Sequence, residues 1–268
     1  MVVGEWTPIK IFKNTGENLI DITPDNLMKE TGWWNRIEKG DFDKDGDMDF
    51  IIGNLGLNYK YKASQKEPFH VYANDFDKTG SLDIVLGYFN DGVCYPLRGR
   101  ECSSQQMPFI TEKFPTYKDF ASASITDVYG KDLDKSYHKQ ATNFANSILI
   151  NEGNGQFSLK ALPINSQVSC INTAIITDFD KDGNIDLLTA GNLFAAEVET
   201  PRNDANIGQL LNGNGAGEFK AVSVAESGFY APGDVKDMTM IETDAGTIIL
   251  VANNNSEVKV FRLEKENM

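Results

Sequence analysis

One pattern constrains this chain more than any other. Three segments, GDFDKDGDMDFIIG (40–53), NDFDKTGSLDIVLG (74–87) and TDFDKDGNIDLLTAG (177–191), align without gaps through an aspartate-rich loop. Each loop reads D-x-D-x-D-G-x-x-D and runs into a short apolar segment rich in branched residues, FII, IVL or LLT, closed by Gly53, Gly87 or Gly191. Short branched runs with glycine punctuation are strand signals. Each copy is therefore expected to be a β-hairpin with the acidic loop as its turn.

The loop chemistry points to a hard cation. The first copy offers Asp41, Asp43, Asp45 and Asp49, the third Asp178, Asp180, Asp182 and Asp186, and the second Asp75, Asp77, Thr79 and Asp83. Alternate residues of a tightly curled loop aim their oxygens at one centre, and calcium takes six to eight such oxygens. The glycine at the sixth position allows the left-handed turn that curls the loop. The seventh residue (Asp47, Ser81, Asn184) is expected to contribute its backbone carbonyl, and the ninth to close the shell through both carboxylate oxygens. Without a cation, four aspartates within nine residues repel one another. Three calcium sites are expected, weakest at Asp75–Asp83, where threonine replaces a carboxylate. An EF-hand loop closes on a glutamate at position twelve and enters a helix. Here position twelve is Ile52, Leu86 or Thr189, and the following residues are strand-like.

A second hairpin type recurs. FKNTGENLIDIT (12–23), LINEGNGQFSLKAL (149–162) and LLNGNGAGEFKAVS (210–223) each place an Asn/Gly-rich turn between two strand-like runs. Asparagine and glycine supply the positive φ angles that tight hairpins need. A metal-loop hairpin followed by an Asn-Gly hairpin makes a four-stranded antiparallel sheet, the unit of a propeller blade. The segment 232–263 fits the frame with its acidic loop lost. Between the second and third copies lies an insertion, expected to be helical over about 105–145. Thr116 caps one helix through 117–129, ended by Gly130, and Leu133, Tyr137, Ala141 and Phe144 share a face of a second over 132–144. The expected fold is all-β, a propeller of about four to five four-stranded blades in one domain over 1–268. Because the chain opens in mid-blade and closes after three strands of another, it is expected to be part of a larger propeller.

The loops and their trailing strands resemble the FG-GAP/VCBS repeats of the integrin α-subunit N-terminal propeller, and more closely bacterial proteins similar to cartilage acidic protein. FPTYKDFA (114–121), AGN (190–192) and GDVKDM (233–238) extend the resemblance over nearly the whole chain. It implies a calcium-stabilised module for adhesion or ligand binding, outside the cytoplasm or in the cell envelope, with a protein or glycan partner.

Other features bound the function. Acidic residues outnumber basic ones 39 to 25, for a net charge of −14, which disfavours nucleic acid and anionic membranes. No apolar run is long enough to span a bilayer, and no signal peptide is visible at the start. With His70 and His138 the only histidines, a histidine-rich zinc site is excluded. Cys94 and Cys102 could close a small loop or stay as thiols, and Cys170 reads as a small core residue. Two alternatives to a non-catalytic adhesion module stay open. One is a propeller lectin using Trp33, Trp34, Tyr88 and Tyr95 as stacking surfaces. The other is an envelope hydrolase using Glu197, Glu199, Arg202 and Asp204 on an irregular loop, although no nucleophile motif or phosphate loop accompanies them.

Overall fold

The computed structural model describes residues 1–197 and 200–264. The chain is mainly β, with 38% of it in strands and 15% in helices. It divides into two compact units, one of Met1–Met28, Trp33–Lys60 and Phe144–Met268, the other of Lys29–Gly32 and Tyr61–Asn143.

In the first unit, the hairpin pairings expected from the loops are present. Arg36–Gly40 and Asp49–Gly53 flank the first loop, and Ser147–Asn151 and Phe157–Ala161 form the following Asn-Gly hairpin. The four strands make one antiparallel sheet through the pairing of Ile52 with Ser147 and Phe50 with Leu149. Around the third loop, Thr173–Thr177 and Asp186–Ala190 join Gln209–Gly213 and Phe219–Val222 in the same order. The degenerate segment forms a three-stranded sheet of Val235–Thr243, Gly246–Asn253 and Lys259–Arg262, and Phe12–Asn14 pairs with Leu19–Asp21.

These sheets pack face to face, which explains the composition of the strands. Side chains alternate across a strand. Ile51, Ile148, Ile150, Leu187 and Leu211 fill one shared layer. Their neighbours Ile52 and Leu149 point the other way, into a layer with Ile9, Leu27 and Trp34. Leu188 likewise joins Ile175, Val235, Ile249 and Val251 in a third layer. A strand buried on both faces needs an uninterrupted apolar run, as FII and LLT provide. Each fully buried Leu or Ile contributes about 1.5–3 kcal/mol. At the strand end, a Cβ on Gly53 would stand 2.1 Å from the Ile171 carbonyl, so only glycine fits there.

Buried amides tie the strand ends together. Asn54 N–H donates to Asn146 Oδ1 (2.7 Å), and the Asn146 side chain donates to the carbonyls of Ser166 and Ser169. Gln167 accepts from Asn146 N–H (2.9 Å) and donates to the carbonyls of Asn146 and Leu162. Asn192 holds the third-loop sheet in the same way, donating to the carbonyls of Asn206 and Gly233.

The second unit carries the second loop. Tyr137–Ala141, Phe69–Asn74, Asp83–Asn90 and Val93–Pro96 form its antiparallel sheet. In the chain its main segment, Tyr61–Asn143, is inserted between the two central strands of the first-loop sheet, so the second loop belongs to the insertion rather than preceding it. The helices start earlier than expected, at Arg100–Gln106 and Phe109–Lys113. The helix expected through 117–129 is two helices, Tyr117–Ala121 and Ile125–Tyr129. Thr116 caps the first as expected, its hydroxyl accepting from Asp119 N–H (3.1 Å). Ser124 and Asp127 form a capping box that restarts the second, and this second cap breaks the run. Phe120, Ile125, Val128 and Tyr129 are buried with Met107 and Val85, as their spacing predicts. The helix expected over 132–144 is absent. Gly130–Lys135 is a 3-10 helix and Tyr137–Ala141 is a strand on the edge of Phe69–Asn74. Five paired residues on an open sheet edge outweigh a helical spacing of four apolar positions, one of which, Tyr137, is 66% exposed.

Gln167→Leu is expected to destabilise the protein by at least about 2 kcal/mol, since the Asn146 N–H and the Leu162 carbonyl lose this partner, while the Asn146 carbonyl keeps its bond from Leu162 N–H. Urea denaturation of the purified variant checks this.

Candidate metal loops

The three loops share one backbone. The lysine at position four adopts a left-handed conformation in each (Lys44 φ 63°, Lys78 φ 61°, Lys181 φ 61°), and so does the glycine at position six (93°, 87° and 87°). A left-handed lysine costs about 1–2 kcal/mol, so its repetition marks a curl imposed by the rest of the loop. Two hydrogen bonds impose it. The position-six amide donates to the first aspartate, from Gly46 to Asp41 (3.2 Å), Gly80 to Asp75 (2.9 Å) and Gly183 to Asp178 (2.9 Å). The position-two amide donates to the ninth residue, from Phe42 to Asp49 (3.0 Å), Phe76 to Asp83 (3.0 Å) and Phe179 to Asp186 (2.8 Å).

The ninth aspartates are buried, with Asp49 and Asp186 at 0% exposure. Their second oxygens also have partners. Asp49 Oδ1 accepts from Asn151 N–H (2.8 Å) and Asp186 Oδ1 from Gly213 N–H (2.9 Å), each on the adjoining Asn-Gly hairpin. In the second loop a side chain takes this part, Gln106 Nε2 donating to Asp83 Oδ1 (3.2 Å). The ninth residue is thus a clamp between hairpins. Burial pushes the carboxyls of Asp49 and Asp186 above the usual range, against the backbone hydrogen bonds that hold them down.

Carboxylates gather in each loop, and in the second and third the buried ninth aspartate is among them. Ligand-type oxygens of Asp41, Asp43 and Asp45, of Asp75, Asp77 and Asp83, and of Asp178, Asp180 and Asp186 lie within 4.8 Å of one another in each set. At that spacing each like-charged pair costs about 1–3 kcal/mol, between the dielectric of water and that of a protein surface. Asp47 and Asn184, at position seven, donate their amides to Asp45 (2.8 Å) and Asp182 (2.7 Å). The amide hydrogen bonds of Asn184 hold Asp182 below the usual carboxylate range. Ser81, at position seven of the second loop, is exposed.

One detail separates the loops. Asp41 Oδ1 and Asp178 Oδ1 are buried and have no hydrogen-bond partner. An ionised oxygen removed from water without a donor is costly, and it suits a cation. In the second loop the corresponding atom, Asp75 Oδ1, accepts from Thr79 N–H (2.9 Å), and the Thr79 hydroxyl donates to Asp77 (2.8 Å). That loop satisfies its first aspartate internally. An all-oxygen donor set with no histidine or cysteine fits calcium rather than a softer metal.

Contacts from outside the loops were not visible in their spacing. Asn212 donates to Asp180 Oδ2 (2.6 Å), and Gly217 N–H donates to the Phe42 carbonyl (3.0 Å), joining the third-loop sheet to the first loop. Both lie on the Asn-Gly hairpin 210–223, whose recurrence beside a metal loop was the available signal.

The other candidate residues do not converge. Trp34 is core, 2% exposed, with its indole N–H on the Thr7 carbonyl (3.0 Å). This removes it as a sugar platform, because its ring fills the layer beneath Ile52 and Leu149. Trp33 packs edge-on against Trp6 and Phe144. Tyr88 and Tyr95 are a cross-strand pair at 6.3 Å. Arg202 pairs with Asp204 (3.5 Å) and lies over Phe194. Glu197 is half-buried, and Glu199 lies outside the described residues. Cys94, Cys102 and Cys170 are free thiols.

In metal-free buffer, Asp186→Ala should cost about 2–4 kcal/mol because two buried amides lose their acceptor. Asp178→Ala should cost about 1 kcal/mol or less there, yet abolish calcium binding at the third loop. Chemical denaturation with and without calcium separates the two roles. No protein-family model matches this chain, and no curated protein matches it.

Proposed function

We propose that this chain is a calcium-stabilised binding module on a β-propeller framework, acting outside the cytoplasm or in the cell envelope on a protein or glycan ligand. The single observation that carries the calcium part is the buried, partnerless oxygen of Asp41 and of Asp178 within clusters of carboxylates. Asp41, Asp43, Asp45 and Asp49 would hold one ion, Asp178, Asp180, Asp182 and Asp186 a second, and Asp75, Asp77, Thr79 and Asp83 a third. Bound calcium supplies positive charge that offsets the repulsion among these groups. The propeller framework is supported by successive antiparallel sheets, each a metal-loop hairpin joined to an Asn-Gly hairpin, packed face to face within the first unit. A structural role suits the metal better than a catalytic one, since the loops sit at hairpin turns and the clamps reach into the next hairpin. Sites of this type in extracellular modules bind at 10⁻⁴–10⁻³ M, by the general rule for calcium proteins, which favours a calcium-rich compartment. An adhesion role follows from the resemblance to FG-GAP/VCBS repeats and from rigid sheets that leave their connecting loops to a partner.

At free calcium about 100-fold above Kd, each site adds about 2.7 kcal/mol, or roughly 5–10 °C in melting temperature. Scanning calorimetry should show that excess chelator lowers the transition and that calcium restores it. Titration calorimetry should resolve two tighter sites and a weaker one, with Thr79→Asp strengthening the weaker. A melting temperature indifferent to both chelator and calcium would sink the proposal.

A further inference from the structure

The chain has two histidines, 68 positions apart, and the fold brings them together. His70 lies on Phe69–Asn74 and His138 on the neighbouring strand Tyr137–Ala141. In the register, His138 stands opposite Tyr72 and Gln140 opposite His70, so the histidines are diagonal neighbours on one face of the sheet. Their rings face each other with His70 Nδ1 2.9 Å from His138 Nε2. Aromatic neighbours hold both rings. Tyr72 stacks on His138 at 4.4 Å, nearly parallel, and Phe89 flanks His70 at 5.8 Å.

We propose that His70 and His138 form a two-nitrogen site for a borderline divalent transition metal such as zinc, separate in place and chemistry from the oxygen loops. Zinc–nitrogen bonds are about 2.0–2.1 Å long. Two nitrogens on one ion therefore stand about 2.9 Å apart at a right angle and about 3.4 Å apart at the tetrahedral angle. The observed separation needs at most a few tenths of an ångström of opening. His138 is exposed, so it can yield that distance and the ion has a way in. Beside it lies a cavity of about 430 Å³, lined in part by Tyr72, Thr126, Lys131, Asp134 and Ser136, with room for the waters that complete the shell. Imidazole is the ligand type for zinc, copper and nickel, whereas calcium prefers oxygen. A metal needs both rings neutral. Burial, with His138 nearby, pushes His70 down to about 4, and partial burial lowers His138, so both rings are neutral at neutral pH. The one proton between the facing nitrogens moves to the other nitrogen of its ring when a metal binds. Cys94 lies on the same face, but burial pushes its thiol up to about 11 and it stays protonated. Among the described residues no third histidine, cysteine or acidic group joins the pair at ligand distance. The site is therefore open, with solvent in the remaining positions.

Two histidines make the test direct, because the imidazole nitrogens give two sets of NMR signals. The full chain is saturated with calcium to occupy the oxygen loops, then titrated with zinc alone while the imidazole nitrogens are followed. Both sets should shift together with one equivalent of zinc. In His138→Gln, whose exposed position leaves folding intact, zinc should bind at least about tenfold more weakly, the loss that removal of even an outer-shell partner produces. Circular dichroism of that variant confirms the fold. Imidazole signals indifferent to zinc, or equal zinc affinity in the variant, would overturn the site and leave a hydrogen-bonded pair. Neither result depends on the calcium proposal, which chelation and melting test separately.

Discussion

Everything in the first unit depends on a buried carboxylate at the end of each metal loop. Asp49 and Asp186 are fully enclosed and each binds two backbone amides, one within its own loop and one on the next hairpin. Hydrogen bonds to an ionised acceptor are about twice as strong as neutral ones. Each aspartate closes the loop and docks the adjoining hairpin, so a four-stranded sheet is pinned at one end through a single side chain. The apolar layers can then fill from both faces. Without the pin, register between the second and third strands would rest on three residue pairs, Ile52 with Ser147, Ile51 with Ile148 and Phe50 with Leu149. A one-residue slip would exchange the two buried faces.

The second unit solves the same problem with different parts. Asp83 keeps its bond to the Phe76 amide, but its other oxygen meets Gln106 from a helix instead of a hairpin amide. The strand beside Asp83–Asn90 there is Val93–Pro96, joined to it by the tight turn at Asp91 and Gly92, and Tyr137–Ala141 pairs on the other side with Phe69–Asn74. The helices Phe109–Lys113, Tyr117–Ala121 and Ile125–Tyr129, through Ile110, Phe120, Ile125, Val128 and Tyr129, supply the apolar cover that a packed sheet gives in the first unit. Loop chemistry tracks this difference. Where a hairpin amide meets the ninth aspartate, the first aspartate keeps a buried oxygen with no donor; where Gln106 meets it, the Thr79 amide has taken that oxygen.

Local features were legible in the sequence to the extent that they obey a short-range rule. The hairpins, their order and the last three-stranded sheet follow from turn residues and apolar runs, each readable within about ten positions. Thr116 was legible as a cap for the same reason. Three things were not. The nesting of the second loop inside the first sheet is a long-range pairing of Ile52 with Ser147, and nothing in the intervening residues records it. The strand Tyr137–Ala141 was mistaken for helix because its identity is decided by an available sheet edge, which periodicity does not reveal. Trp34 entered the lectin alternative as a stacking surface, but the layer of Ile9, Leu27 and Ile52 buries it. For the loops, the residue set was legible but not the division of labour. Spacing gives the ninth aspartate as one ligand among several and does not reveal that both its oxygens also accept from amides.

That division bears on what a bound ion does. The left-handed lysine, the position-six glycine and the two amide bonds recur in all three loops, so the same hydrogen bonds define one loop shape. What these bonds leave unbalanced is charge: several carboxylates within 4.8 Å and, in two loops, an oxygen with no donor. A cation at these positions would offset that charge, and its stabilisation would come mainly from relief of repulsion. Under the proposed calcium reading, the fold would therefore gain stability logarithmically as the surrounding calcium rises above Kd.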